Sequence, residues 1–128
     1  MENDDSTRNV KISYPPRNIL VEADKGRITQ VILNLLRNAI KFTSEGVISI
    51  NAFGKDDIVI VSVKDTGPGI DPEILPRLFS KFVTKSDKGT GLGLFISKSI
   101  IDAHRGTIWA ENNADGKGCT FTFSIPST

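Results

Sequence analysis

The chain has 128 residues, of which 38% are hydrophobic and 24% charged, a composition typical of one soluble globular domain. Its 16 basic and 15 acidic residues give a formal net charge of +1, so we expect no nucleic acid among its partners. The single cysteine, Cys119, excludes an internal disulfide and a cysteine-based zinc cluster.

The sequence also predicts the cellular location of the protein. No apolar stretch approaches the length of a membrane span, and the polar residues 1–8 contain no signal-peptide core. We therefore expect the chain to be cytoplasmic, or the cytoplasmic part of something larger, with no membrane contact by this domain. Residues 1–9 predict a disordered lead-in, which leaves residues 10–128 as the folded domain.

The first half of the chain predicts two short strands and one long amphipathic helix. The strands cover residues 10–13 and 19–21, and a Pro-Pro pair separates them. Asp24 is a typical N-cap residue, and apolar residues then recur at the i, i+3, i+4 and i+7 spacing of one helix face. These apolar residues are Ile28, Val31, Ile32, Leu35, Leu36, Ala39 and Ile40. The Ser-Glu-Gly sequence at 44–46 is expected to end the helix.

The second half predicts four strands and two further helices. In chain order the predicted elements are strands at 47–53 and 58–64, a short helix at 72–78, a polar loop at 80–88, a helix at about 91–103, and strands at 107–111 and 119–125. The strand at 58–64 is apolar almost throughout, which is typical of a central strand. Because helices and strands mix without strict alternation, we expect helices packed on one face of a largely antiparallel sheet.

Two glycine-rich segments predict a bound nucleotide. The run from Gly89 to Leu94 precedes a helical pattern, and glycine lets backbone N–H groups converge on an anion at a helix N-terminus. The run from Asp65 to Ile70 combines a carboxylate with a glycine-rich turn, which suits hydrogen bonding to a base. One segment for phosphates and one for a base together indicate a nucleotide.

Asp65 follows a strand that is predicted to be buried, where a carboxylate needs a partner. It can accept a hydrogen bond from an exocyclic amine such as N6 of adenine, whereas guanine presents an acceptor at that position and is disfavoured. The alternative is a structural role, in which backbone N–H groups of the turn satisfy Asp65.

The polar face of the long helix carries Asn34, Asn38 and Lys41 at i, i+4 and i+7, on one ridge opposite the apolar stripe. An amide oxygen can complete the shell of a Mg²⁺ ion shared with phosphates and waters, and a lysine can neutralise phosphate charge. The alternative is a solvated helix face. Asparagine is a poor helix former, which favours the functional interpretation.

Taken in order, these three segments resemble the N, G1 and G2 boxes of the superfamily that holds sensor histidine kinases, gyrase, Hsp90 and MutL. The stretch 30–43, QVILNLLRNAIKFT, resembles the histidine-kinase N box in particular, and 79–82, FSKF, resembles its F box. The resemblance covers residues 10–126. It implies a Bergerat-type two-layer α/β (α+β) sandwich, with a mixed, largely antiparallel sheet of about five strands covered on one face by three helices.

The resemblance also implies a role for each box residue, with ATP and Mg²⁺ as the ligands. Asn38 would hold Mg²⁺, Asn34 and Lys41 would contact phosphates, and Phe42 would lie against the adenine. Asp65 would bind the adenine amine in a pocket shaped by Gly67, Gly69 and Ile70. The phosphates would be cradled by Gly89, Thr90, Gly91, Leu92, Gly93 and Leu94. A short lid would carry the cations Lys85 and Lys88, of which Lys85 is the better candidate to stabilise the transferred γ-phosphoryl.

Asn34 separates the branches of this superfamily. By the resemblance, ATP-hydrolysing members and the serine-kinase branch have a glutamate here, and an amide cannot take up a proton at neutral pH. A histidine acceptor already has a nucleophilic nitrogen, so phosphoryl transfer to histidine is favoured over hydrolysis. We expect a monomeric domain that binds ATP or ADP and phosphorylates a histidine on a separate dimerisation domain of the same kinase, indirectly serving a response regulator.

Two alternatives stay open: an ATPase or serine/threonine kinase of the same superfamily, and a non-catalytic module whose partner binding depends on nucleotide. The single histidine, His104, is expected to cap the second helix rather than accept phosphate. Two residues depart from the family pattern. Arg105 replaces a glycine in the turn after that helix, and Cys119 stands where Ser or Thr is usual near the adenine.

Overall fold

The structure, a computed structural model, describes residues 9–13, 24–43, 45–81 and 92–126. Its elements in chain order are strand β1 (Asn9–Ser13), helix α1 (Lys25–Phe42), strands β2 (Glu45–Lys55) and β3 (Ile58–Asp65), a 3₁₀ turn (Leu75–Arg77), helix α2 (Gly93–Ala103), and strands β4 (Thr107–Asn112) and β5 (Cys119–Pro126). Neither α-helix of this described part is long and apolar enough to cross a membrane.

The five strands form one sheet in the order β1-β2-β3-β5-β4. β1 runs parallel to β2, and every other pair is antiparallel. The predicted fold class, a mixed but largely antiparallel sheet covered by helices, is therefore confirmed. The strand predicted at 19–21 lies outside the described residues.

The core lies between the sheet and the two helices. β3 contributes Val59, Val61 and Val63, and its register places Val61 opposite Phe123 and Val63 opposite Phe121 on β5. Both phenylalanines are fully buried. The same face of the sheet receives the apolar stripe of α1 and, from α2, buried isoleucines. The helix periodicity of the sequence thus correctly predicts which side of α1 faces the sheet.

α1 begins where the sequence indicates, because the Asp24 carboxylate accepts the backbone N–H of Arg27 at 3.0 Å. The short helix predicted at 72–78 is present only as the 3₁₀ turn Leu75–Arg77. Pro76 has no N–H to donate, and the segment is too short to propagate an α-helix. The described residues therefore contain two α-helices rather than three.

Three element boundaries differ from the prediction. β1 begins at Asn9, one residue inside the predicted lead-in, and pairs there with Glu45. β2 extends over Glu45–Lys55, beyond the predicted 47–53, because β1 pairs with its residues 45–49 and β3 pairs with its residues 48–55. α2 is described from Gly93, two residues after the predicted start.

Candidate nucleotide-binding site

Asp65 is the last residue of β3 and is only 4% exposed. Its Oδ1 atom accepts two backbone hydrogen bonds, from Gly67 at 2.9 Å and from Cys119 at 3.3 Å. Among the described residues, the one hydrogen bond to its Oδ2 atom comes from the Cys119 thiol, at 3.5 Å. A thiol is a weak donor, so Oδ2 is the carboxylate oxygen with capacity left for another group.

The structural alternative for Asp65 is therefore half correct. One oxygen is satisfied by the backbone N–H groups of neighbouring turns, as that alternative predicts, and this fixes the rotamer of the side chain. The other oxygen keeps the acceptor capacity that the base-binding interpretation requires.

The G1 loop, residues 65–70, begins at Asp65, where β3 ends. Gly69 has φ +82°, and a Cβ on it would lie 2.9 Å from the side-chain oxygen of Asn112, so this position requires glycine. Ile70, 7% exposed, anchors the far end of the loop in the core. The predicted site residues Asp65, Gly67, Gly69 and Ile70 thus lie together.

Two residues holding this loop were not predicted as site residues. Asn112 Oδ1 accepts the N–H of Ile70, and Asn112 Nδ2 donates to the Ile70 carbonyl, both at 2.8 Å. Asn113 Nδ2 donates to the carbonyl oxygen of Asp65 at 2.9 Å. The sequence signal was the turn at 112–118, whose composition predicts only a turn. The pairing with a loop more than 40 residues away is a tertiary feature.

On α1, Asn34, Asn38 and Lys41 are all half-buried. Asn34 Nδ2 donates to the Gly93 carbonyl at 3.3 Å and to Ser97 Oγ at 3.2 Å, which connects this face of α1 to the first turns of α2. The Asn38 amide makes no hydrogen bond to any described residue. A half-buried amide without a partner in this described part of the chain suits a ligand of another kind.

Helix α2 begins at Gly93 with Leu92 as its N-cap, and no side chain caps its first turn. A Cβ on Gly93 would meet nothing within 4 Å, and its φ is not in the left-handed region. Packing within the described residues therefore gives no reason for glycine here, whereas an approaching phosphate would. Leu94, half-buried, packs against the core.

Lys85, Lys88, Gly89, Thr90 and Gly91, and the side chain of Phe42, lie outside the described residues. Of the F box, Phe79 packs edge-on against Phe121 with ring centroids 6.2 Å apart. Lys81 places its ammonium 5.2 Å from the Phe95 ring centroid, which brings the end of the F box to the first turn of α2.

The two departures from the family pattern also have a structural account. Arg105 adopts φ +61°, a left-handed conformation that explains why glycine is usual after a helix end. The turn is kept tight because a Cβ on Gly106 would lie 2.0 Å from the Ser124 carbonyl. Cys119 is buried beside Asp65, the residue predicted to bind the base.

A five-stranded sheet with helices on one face, a strand-end carboxylate with one open oxygen, and a glycine at the start of α2 define a two-layer ATPase-type domain. The chain belongs to the histidine kinase-, DNA gyrase B-, and HSP90-like ATPase family, which matches residues 23–128. Within that family its relatives are sensor histidine kinases, as the box sequences predict.

The chain is 43% identical over 122 residues to the sensor protein FixL of Bradyrhizobium diazoefficiens, covering 92% of this chain and 24% of FixL. It is 40% identical over 123 residues to the sensor histidine kinase WalK of Bacillus subtilis, covering 89% of this chain and 20% of WalK. The chain thus spans about a quarter or less of the length of these relatives.

Solved structures of histidine kinases share the fold. The nucleotide-free catalytic domain of ThkA matches with a TM-score of 0.80 at 41% identity, covering 95% of this chain and 82% of that one. Full-length ShkA in complex with AMPPNP matches at 0.83 with 34% identity, covering 93% of this chain and 26% of ShkA. ThkA in complex with the response regulator TrrA matches at 0.77 with 40% identity, covering 93% and 34% of the two chains.

Proposed function

We propose that this domain binds Mg·ATP and donates the γ-phosphoryl group to a histidine on a separate dimerisation domain of the same kinase, within a cytoplasmic two-component system. The observation that carries the nucleotide part is the unequal use of the Asp65 oxygens. Oδ1 is held by two backbone N–H groups, which leaves Oδ2 to accept a hydrogen bond from an adenine amine.

At the other end of the nucleotide, N–H groups in the first turn of α2, which has no side-chain cap, would donate to phosphate oxygens, and Lys41 and Lys88 would add positive charge. Asn38 would hold Mg²⁺ together with phosphate oxygens and water. When bound, Mg²⁺ neutralises phosphate charge. The described residues contain no group of three His, Cys, Asp or Glu side chains suited to a metal.

Phosphoryl transfer to histidine is favoured over hydrolysis by Asn34. Its Nδ2 is engaged by Gly93 and Ser97, and its amide oxygen cannot remove a proton from water or a serine hydroxyl. A histidine nitrogen brings its own lone pair. The nitrogen–phosphorus bond forms as the bond from the γ-phosphorus to the β–γ bridging oxygen breaks, and ADP leaves. Lys85 would stabilise the charge on the γ-phosphoryl oxygens.

Two further partners belong to this proposal. The structure of ThkA with its response regulator supports a response regulator as the later acceptor of the phosphoryl group. The AMPPNP complex of ShkA supports adenine nucleotide as the ligand. The isolated domain is proposed to be a monomer that does not phosphorylate itself.

The first test is calorimetric titration with ATP, ADP and GTP, with and without Mg²⁺. We expect binding of both adenine nucleotides and at least tenfold weaker binding of GTP, on the order expected for a hydrogen bond to a charged group.

The second test supplies γ-labelled ATP and a histidine-bearing helical hairpin domain. Label on the hairpin, and none on the isolated chain, supports the kinase. Binding without transfer favours a non-catalytic module, and steady release of phosphate favours an ATPase.

A further inference from the structure

The end of β4 and the turn that follows it contact both ends of the G1 loop. At the far end, the Asn112 side chain pairs with the backbone N–H and carbonyl of Ile70, with both bonds at 2.8 Å. This is the two-point pattern that a neighbouring strand would provide, supplied by one side-chain amide. Ile70 is thereby fixed in position as well as buried.

At the near end, Asn113 uses its whole amide group. Nδ2 donates to the carbonyl oxygens of Asp65 at 2.9 Å and of Lys117 at 2.8 Å, and Oδ1 accepts from Thr120 Oγ1 at 2.6 Å. An amide with two donors and an acceptor engaged has one orientation. The turn at 113–117 and the end of β3 are therefore held together through this one side chain.

The same turn also fixes the Asp65 side chain. A Cβ on Gly118 would lie 2.0 Å from the Asp65 carbonyl oxygen, so the turn approaches Asp65 as closely as a glycine permits. The next residue, Cys119, donates its N–H to Asp65 Oδ1. This short segment thus contacts both the backbone and the carboxylate of Asp65, and together with the Gly67 N–H it sets the direction of Oδ2.

Local turn chemistry does not account for these contacts. Asn in a turn typically bonds backbone two residues away, whereas Asn112 reaches a residue 42 positions distant and Asn113 one 48 positions distant. Both long-range bonds end on the loop that carries the base-binding carboxylate. This indicates a role beyond closing the hairpin.

We propose that Asn113, supported by Asn112, is the positioning residue for base recognition: it fixes Asp65 so that Oδ2 meets the exocyclic amine of the base. This inference rests on the proposed adenine nucleotide binding. It assigns discrimination between purines to a turn that touches no part of the base itself. Hydrogen-bond recognition requires placement within about 0.5 Å, so loss of the Asn113 contact should reduce that discrimination.

The experiment compares two ligands that differ only in the amine. Calorimetry would give the dissociation constants of ATP and of purine riboside triphosphate, which carries hydrogen in place of the amine. For the unmodified domain we expect ATP to bind on the order of tenfold more tightly. In Asn113→Asp, which keeps the acceptor for Thr120 but lacks the donor for Asp65, we expect the ratio to fall below about threefold.

The ratio of the two dissociation constants distinguishes a positioning role of Asn113 from a general structural effect of the substitution. A change in the overall fold, or the added negative charge, weakens both ligands alike and leaves the ratio unchanged. Asn51→Asp, on an exposed residue of the helix-free face of β2, is the matched control and should keep the full preference. Asn113→Ala and Asn112→Ala repeat the measurement without adding charge, in case the first variant melts below the working temperature.

A reduced ratio with nearly unchanged affinity for purine riboside triphosphate supports the proposal. An equal weakening of both ligands, or no change in either, would overturn it. If the unmodified domain binds neither ligand, the proposed nucleotide binding itself fails. If it binds both equally, Asp65 does not read the amine and the positioning role fails with it.

Discussion

The imidazole of His104, which ends α2, accepts at Nε2 the backbone N–H of Asp24, the N-cap of α1, at a distance of 3.1 Å. Its Nδ1 therefore carries the proton and donates to the carbonyl of Ile100 at 2.8 Å. The one histidine of the chain thus joins the ends of the two helices, with both ring nitrogens engaged. The prediction that it caps helix carbonyls is confirmed.

Removing this contact should lower the stability of the domain without lowering its affinity for nucleotide. His104→Ala removes two hydrogen bonds and should lower the free energy of unfolding by about 1–2 kcal/mol. Ser99→Ala, which removes one exposed hydroxyl bond to a carbonyl in α2, is the matched control and should cost less. Urea unfolding measures both. A weaker ATP affinity at unchanged stability would place His104 in the binding site instead.

Asp65→Asn tests the base-binding carboxylate directly. The asparagine oxygen can keep the two backbone N–H groups that Oδ1 accepts, so the fold should survive. Its NH₂ group would then take the place of Oδ2 and face the adenine amine, and two donors cannot form a hydrogen bond with each other. We expect ATP affinity to fall by roughly tenfold or more by calorimetry. Asp57→Asn, in the exposed β2–β3 turn, should bind ATP normally. Unchanged ATP affinity in Asp65→Asn would contradict the assignment.

Asn38→Ala should remove the effect of Mg²⁺ on ATP binding while leaving the metal-free affinity nearly unchanged. The reason is that its half-buried amide has no partner among the described residues and is free to coordinate a cation. The expected loss is on the order of tenfold with Mg²⁺ present. Arg37→Ala, the exposed neighbour on the same helix, serves as the control. An equal loss with and without Mg²⁺ would point to a phosphate contact rather than a metal ligand.

Much of the fold could be predicted from the sequence because its signals are local. The period of α1, the Asp24 cap and the apolar run of β3 each depend on residues a few positions apart. The helix predicted at 72–78 is limited to one 3₁₀ turn for a local reason too, because Pro76 lacks the N–H that an α-helix starting at Pro72 would need there.

The site was predictable only in part. Asp65 and the glycine turns carry a composition signal, whereas the support from Asn112 and Asn113 depends on strand order. β5 lies beside β3, and only this neighbour relationship brings the β4–β5 turn against the G1 loop. A turn rich in Asn and Gly predicts a hairpin, and no spacing rule predicts what the side chains of that hairpin touch.

Two glycines of the β4–β5 turn form a matched pair. Gly116 and Gly118 have similar positive φ values of +79° and +85°, but a Cβ on Gly116 meets nothing within 4 Å. Gly116→Ala should therefore cost only the left-handed backbone, about 1–2 kcal/mol. Gly118→Ala adds a clash with the Asp65 carbonyl and should cost about 2–5 kcal/mol. It should also weaken ATP binding, because Asp65 must move. Equal losses of stability in the two variants would show that the turn relaxes without displacing Asp65.

A substitution at Thr43 should stabilise the domain, in contrast to the glycine substitutions. It follows α1, is fully buried, and its backbone N–H bonds the Ala39 carbonyl, but its hydroxyl has no hydrogen-bond partner in the described structure. An unsatisfied buried hydroxyl is destabilising, so Thr43→Val should raise the free energy of unfolding by about 0.5–2 kcal/mol. Thr122→Val is the matched control, because that buried hydroxyl bonds Ser62 at 3.2 Å and its removal should cost about 0.5–1.5 kcal/mol. Urea unfolding of both variants gives the comparison. A loss of stability in Thr43→Val as large as that in Thr122→Val would show that the Thr43 hydroxyl is hydrogen-bonded in solution.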